Sequence, residues 1–480
     1  MISLITDLPE ARSEISDVIR LFFPMEEITE EGLPRLVHRH EGGRHTAVWI
    51  TEKGEFTHSM VVPVPENDPI ARLRMLRRGA KLAAFEAIQQ AENLHLPWGA
   101  LTGIRPTRLI RQLTLECGSL AGAQKALAED FHVSPGRVQL LADILTQQEP
   151  IFHWGDDEAV DIYAGIPFCK SRCLYCSFLS VDLSKTHCDA AAYGDALVKE
   201  IIHAGAFLKR LGKRPHALYV GGGTPTALGW EPLARILEAM VKAFPGYAEL
   251  TCEAGRPDTL NPDMFRMMKD RGVTRISINP QTFNDATLER IGRSHTSADT
   301  LRSLDEALAA GFRDINMDLI MGLPGETVED AAHTLSVVKE LPIQNLTVHT
   351  LTIKRSSALH EHLARWPLPS CEDTEQMVEM GAQTAREMGM VPYYLYRQKA
   401  QRGNLENVGY TLPGRACIYN VDIMEETHHN LALGAGAISK KMIYRENRHE
   451  RLPHPKSVPL YMEKLDEICE ENETFFTQKG

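Results

Sequence analysis

Between residues 161 and 351, short runs of apolar and β-branched residues recur at 162–166, 217–220, 250–253, 275–278, 315–320 and 346–351. Stretches with apolar residues at helical spacing separate them, at 190–211, 232–244, 298–310 and 328–341. Near-continuous apolar runs of this length predict strands covered on both faces, and the intervening periodicity predicts the covering helices. Six such repeats imply an α/β fold with a parallel sheet. Six strands fall short of the eight that close a full barrel, so the predicted architecture is a partial (βα)6 TIM-like barrel. A doubly wound open sheet is the alternative.

The flanks read differently. Residues 45–50 and 55–64 alternate as a hairpin around Lys53-Gly54, and a long basic helical stretch covers 71–93. The polar stretch 155–158 reads as a linker. From about residue 356 the chain is mixed, with a helix over 375–387, an aromatic basic run at 393–399 and a glycine-rich segment at 433–437. The predicted domains are an N-terminal α+β domain (1–155), the barrel (156–355) and a mixed C-terminal domain on the substrate side (356–480).

Composition narrows the class. No apolar run reaches the roughly 18 to 20 residues of a membrane span. The acidic start is unlike a basic secretion signal, so the expectation is a cytoplasmic protein. A net charge of −12 argues against non-specific nucleic-acid binding. Nine cysteines without a secretion signal point to metal chemistry rather than a disulfide framework.

The strongest chemical signal is Cys169, Cys173 and Cys176 in one loop directly after the first predicted barrel strand. Three thiolates can hold three irons of a cubane and leave the fourth iron open to a ligand. The alternative is structural zinc with Cys188 as fourth ligand, although the second CxxC knuckle of such sites is missing.

CxxxCxxC after a barrel strand resembles the radical S-adenosylmethionine (SAM) superfamily. The Tyr163–Cys169 segment, Gly221-Gly222-Gly223-Thr224-Pro225, Gln281-Thr282-Phe283-Asn284, Gly292-Arg293 and the 318–327 segment resemble its oxygen-independent coproporphyrinogen III oxidase group. Residues 253–258, 277–281, 101–107 and 406–410 are similar to the HemZ-type branch of that group. The resemblance implies a [4Fe–4S] cluster on the three cysteines, and SAM. It implies that Gly222, Gly223 and Thr224 hold the methionine end of SAM, that Glu253 and Tyr175 contact it, and that Tyr163 packs near cluster and ligand. Gln281, Arg293 and Asp318 match positions that bind a second SAM or shape that side of the pocket. Taken alone, these three read as a turn residue, a surface charge and a helix cap, and His349 as a packed barrel histidine or a pocket residue.

The implied reaction is the decarboxylation of coproporphyrinogen III to protoporphyrinogen IX in porphyrin and haem biosynthesis, with an electron donor such as flavodoxin or ferredoxin. A tetra-carboxylate substrate wants cationic forks. Arg355, Arg397, Lys399, Arg402 and Arg415 are the candidates, with solvated surface charges as the alternative. Two departures from the group stand out: Ser177-Phe178 replaces a further cysteine, and Gly165 stands in place of a histidine. Both bring the chain closer to haem-binding relatives without oxidase activity. Two further readings therefore stay open. One is a haem-binding or trafficking protein with His428, His429 or His349 as axial ligands; the other is a radical SAM enzyme with another substrate.

Overall fold

Each of the six apolar runs falls on a strand. The computed structural model describes every residue except 25, 66, 179, 186–188, 399–403 and 479–480. Cys188, Lys399 and Arg402 therefore lie outside the described residues. The chain divides into two compact units, Met1–Ala142 with Arg397–Ala400, and Asp143–Tyr396 with Gln401–Gly480.

The first unit is a five-stranded sheet of β1 (Ile2–Thr6), β2 (Ile28–Thr29), β3 (Arg35–Glu41), β4 (Arg44–Thr51) and β5 (Gly54–Val61), in the order β2-β1-β3-β4-β5. The predicted hairpin is the antiparallel β4–β5 pair. Helix Pro69–Glu92 covers β4. Asp68 caps its start by accepting from the Ile70 and Ala71 amides. Gly79, Ala80, Ala83, Ala84 and Ala87 make its buried face small. Close approach requires this, since a Cβ on Gly79 would lie 2.4 Å from the His45 ring.

The second unit is built on β6 (Ala159–Ile166), the short pair β7 (Phe168–Cys169) and β8 (Val181–Asp182), then β9 (Arg214–Gly222), β10 (Glu249–Gly255), β11 (Arg275–Ile278), β12 (Ile315–Met321) and β13 (Asn345–Thr350). Strands β6, β9, β10, β11, β12 and β13 run parallel in that spatial order, with helices in the connections. Capping boxes at Thr296 with Asp299 and at Thr327 with Asp330 start two of those helices.

The mixed C-terminal zone extends this sheet instead of forming a body of its own. Strands β14 (Val391–Tyr396) and β15 (Asn407–Thr411) add antiparallel beyond β13. At the other edge β16 (His429–Leu433) runs parallel to β6, followed by antiparallel β17 (Ile438–Ile443) and β18 (Arg448–Pro453). Eleven strands result, and among the described residues no pairing joins β14 to β18, so the barrel stays partial. All of β15 and β16 is buried, which is why neither shows the alternation of a half-exposed strand. The expected boundaries at 155/156 and 355/356 thus differ from the structure: the first unit ends at Ala142, and 356–480 largely shares the barrel's sheet.

A candidate cluster and SAM site on the barrel rim

Parallel strands put their C-terminal ends at one rim, and the loops leaving those ends carry the chemistry. Cys169 closes β7, whose pairing with β8 ties the two ends of the cysteine loop together; the Val181 amide donates to the Pro167 carbonyl at 2.7 Å and that of Leu183 to Cys169 at 3.0 Å. The loop is also fastened from outside. The Leu174 amide donates to the Ile291 carbonyl (3.0 Å) and the Ser171 hydroxyl to that of Gly292 (3.2 Å). Arg256, buried after β10, grips both Asp258 oxygens (3.0 and 3.2 Å) and donates to the Ser171 carbonyl (2.8 Å). Arg256 and Asp258 had no role in the sequence reading beyond lying in the matching 253–258 segment. A buried-facing charge pair two residues apart after a strand was the signal available.

The three thiols are half-buried and free of disulfides. Burial pushes the Cys169 and Cys176 thiols up, and the neighbouring thiols add to it. Gathering three thiolates in so small a volume needs cationic compensation, which an iron–sulfur cluster supplies. The donor set fits the cluster.

The glycine loop is stitched to the cysteine loop. The Gly223 amide donates to the Ile166 carbonyl (2.8 Å) and the Thr224 amide to that of Phe168 (2.7 Å), while Thr224 Oγ1 lies 3.5 Å from Cys169 Sγ. The Gly222 amide is engaged by Glu253. These amides are thus committed within the protein, so the triplet is required first for backbone approach. Gly222 has φ +116, and a Cβ there would lie 2.8 Å from the Ile166 oxygen.

Glu253 sits under this loop and accepts from the Tyr219 hydroxyl at 2.7 Å. Burial raises it from 4.5 to about 7, against the opposing pull of the Tyr219 hydrogen bond. Because the folded value exceeds the unfolded one, the native state loses stability as pH rises between them; below about pH 4.5 both states are protonated and the cost vanishes. In SAM-free protein Glu253→Gln is therefore expected to stabilise by roughly 1–3 kcal/mol at about pH 8. Thermal melts at two pH values check this, with the gain shrinking toward about pH 5. Beside Glu253, Tyr163 stacks on Tyr219 (6.2 Å) and Tyr419 (6.3 Å), forming an aromatic wall inside the barrel.

Gln281, Arg293 and Asp318 do not form one group. Gln281, at φ +72, joins Asp318 through the backbone: its amide donates to the Asp318 carbonyl, and the Ile320 amide to its own, each at 3.0 Å. The Asp318 carboxylate accepts from Asn316 (2.8 Å) and faces His349 (3.7 Å); burial works against its ionisation, yet His349 and Asn316 hold it below the usual range. Arg293 instead donates to the Asn279 carbonyl (2.8 Å) and the Tyr175 hydroxyl (3.2 Å), and its guanidinium also engages Cys173. It faces the cysteine loop and is half-buried rather than a surface charge. His349 is half-buried, with Nδ1 at 3.2 Å from the Tyr396 hydroxyl.

Of the expected cations, Arg355, Arg397 and Arg415 are described. Arg355 is exposed. Arg397 belongs to the first unit, where it donates to the Leu101 carbonyl (2.7 Å) and lies over the Trp98 ring. Arg415 pairs with Asp314 (3.1 Å), just before β12 and so at the opposite end of the barrel. His428 and His429 lie at that end too, with His429 in register with Val160 near the start of β6. They are far from the cysteine loop.

Fold and loop together define a radical SAM protein, and the profile of the radical SAM superfamily matches residues 163–338. The oxygen-independent coproporphyrinogen-III oxidase-like protein HemZ of Bacillus subtilis (strain 168) is 37% identical over 397 residues, 82% of this chain and 79% of that one. The heme chaperone HemW of the same organism is 31% identical over 224 residues, 45% of this chain and 58% of that protein. In fold, the coproporphyrinogen III oxidase HemN of Escherichia coli, described as a radical SAM enzyme, matches with a TM-score of 0.51 at 23% identity, over 65% of this chain and 70% of its own. The chain belongs to the oxygen-independent coproporphyrinogen III oxidase-like family of radical SAM proteins. Proteins of this superfamily use a [4Fe–4S] cluster and SAM. Among the described residues no helix is long and apolar enough to cross a membrane.

Proposed function

We propose that the chain is a cytoplasmic radical SAM oxidoreductase that decarboxylates coproporphyrinogen III to protoporphyrinogen IX without oxygen. The observation that carries this reading is the 37% identity to an oxidase-like relative across 82% of the chain. In this reading Cys169, Cys173 and Cys176 hold the cluster, and Tyr163, Tyr175, Gly222, Gly223, Thr224 and Glu253 seat SAM. With one electron from a flavodoxin- or ferredoxin-type donor, cluster and SAM would supply a 5′-deoxyadenosyl radical. In each of two rounds one hydrogen atom would leave a propionate carbon, and CO2 and one electron would depart to leave a vinyl group. The electron passes to a one-electron acceptor. Glu253 would contact SAM, and because its carboxyl is raised to about 7, the charged form that a cationic ligand favours would grow, and SAM affinity with it, as pH passes that value. The Asp318, His349 and Tyr396 row, joined by contacts of 3.7 and 3.2 Å, offers polar atoms to a substrate or a second SAM.

A haem-binding or trafficking role is the second reading. The HemW relative at 31% identity supports it, as does Arg415 being paired with Asp314 at the opposite end of the barrel. Anaerobic turnover with coproporphyrinogen III, SAM and a reductant separates the two by product chromatography. Vinyl porphyrinogen is expected. Stoichiometric haem retained without any vinyl product supports the chaperone reading, and a methylated or ring-opened product points to another radical SAM chemistry. In the same assay Arg293→Ala is expected to keep its iron and lose turnover roughly 10- to 100-fold, the worth of one charge-assisted hydrogen bond of about 1.5–3 kcal/mol. Loss of iron in that variant makes Arg293 a support of the cysteine loop instead.

A further inference from the structure

At the end of the barrel opposite the cysteines, four ligating side chains from four elements converge. Asp161 is the third residue of β6 and His216 the third of β9. Asp422 comes from helix Ile418–Glu425, and His428 stands immediately before β16. The register between β6 and β9 shifts between Val160 and Ile162, and Asp161 sits in that irregularity. From Asp161 to Ile166 the strand rises by about 16 Å, so this cluster is separate from the cysteine loop.

The donor atoms all lie within 4.8 Å of one another. His216 Nδ1 is 3.4 Å from Asp161 Oδ1 and 3.0 Å from Asp422 Oδ2. His428 Nδ1 is 3.9 Å from Asp161 Oδ2 and 3.4 Å from Asp422 Oδ2. A tetrahedral zinc ion with bonds of about 2.0 Å spaces its ligand atoms about 3.3 Å apart, and these separations bracket that edge.

Two further observations point to a ligand. His428 is 4% exposed, and its Nδ1 aims into the cluster yet makes no hydrogen bond. The carboxylates are braced from behind in the way metal-ligating carboxylates are. Asp161 Oδ1 accepts from the Ala217 amide (3.2 Å) and Asp422 Oδ1 from the Thr427 hydroxyl (2.5 Å). Among the described residues, the ion-pair partners of these two carboxylates are the same two imidazoles. His216 is the partly exposed member and leaves a path for entry.

We propose that Asp161, His216, Asp422 and His428 bind one divalent cation of the zinc class. Four protein ligands close the coordination sphere, which makes the site structural rather than catalytic. It ties β6 and β9 to the helix and strand that return from the far end of the sequence, and so fixes the edge where β16 extends the barrel.

Metal analysis and cobalt spectroscopy test this on the full-length chain. The anaerobically reconstituted wild type, stripped with chelator and titrated with Zn2+ alone, is expected to hold one zinc beside its cluster iron and to melt at a higher temperature. The Cys169→Ser, Cys173→Ser, Cys176→Ser chain is expected to keep that zinc. Co2+ in its place is expected to give the visible bands of a four-coordinate nitrogen and oxygen site without thiolate charge transfer. His216→Gln and Asp422→Asn are expected to lose the zinc and the melting shift. The cobalt spectrum is read on unaltered ligands, so it stands even where a variant fails to fold. Substoichiometric zinc in the wild type, thiolate bands in the cobalt spectrum, or full zinc binding by folded His216→Gln overturns the proposal.

Discussion

Replacing Cys169, Cys173 or Cys176 with alanine is expected to abolish the cluster and SAM cleavage together, where the wild type takes up about four irons and four sulfides per chain. The expectation follows from how the thiols are held. They sit on one loop whose two ends are joined by the β7–β8 pair and whose middle hangs on the Ile291 and Gly292 carbonyls and on Arg256. Cys252 and Cys417 are not placed to replace a lost ligand. Cys252 is buried within β10, and Cys417 is buried at the start of helix Ile418–Glu425, where its thiol donates to Glu249 at 3.1 Å. Alanine at either position should therefore leave the iron content unchanged. Iron and acid-labile sulfide assays with 5′-deoxyadenosine release measure both halves. A Cys173→Ala chain that still reconstitutes a full cluster would remove the basis of the site.

Gly223→Leu is expected to fail almost as completely, and for a reason beyond ligand space. A Cβ at Gly223 lies 2.6 Å from the Phe168 oxygen and 2.9 Å from Cys169 Sγ. Neither neighbour is the free end of a flexible chain: the first is backbone, and the second is fixed by the β7–β8 pair. Overpacking of this kind costs about 1–3 kcal/mol or more and is relieved only by moving the cysteine loop. The variant should lose iron as well as SAM affinity, whereas a change that only filled the ligand's space would spare the iron. Full iron content together with lost SAM binding would therefore separate the two causes. Normal SAM affinity would show that the loop is merely a turn.

Much of this site is legible in the chain because it is local. The cysteine spacing puts three thiols in one loop, and alternating strand and helix periods put that loop, the glycines and Glu253 after successive parallel strands, hence on one rim. None of that needs knowledge of which side chain points where. Arg293 shows the limit. Its place after β11 was readable, but its direction is set by the Asn279 carbonyl and the Tyr175 hydroxyl across the rim. Arg397 shows it again. Beside an aromatic run it looks like part of a pocket, yet it is buried in the first unit against Leu101 and Trp98.

The chain's own order of residues was enough to specify the partial parallel barrel, its six repeats and the cysteine loop, since short-range periodicity and ligand spacing survive without long-range partners. The tertiary structure alone decided the rest. It set β16 in register with β6, turned a nominally separate C-terminal zone into an extension of the same sheet, and committed the glycine-loop amides to their neighbours. It also brought Asp161 and His216 against Asp422 and His428, more than 200 residues away in sequence. Contacts of that kind depend on register and side-chain direction between distant segments, and a one-residue slip in a strand reverses which face every side chain takes.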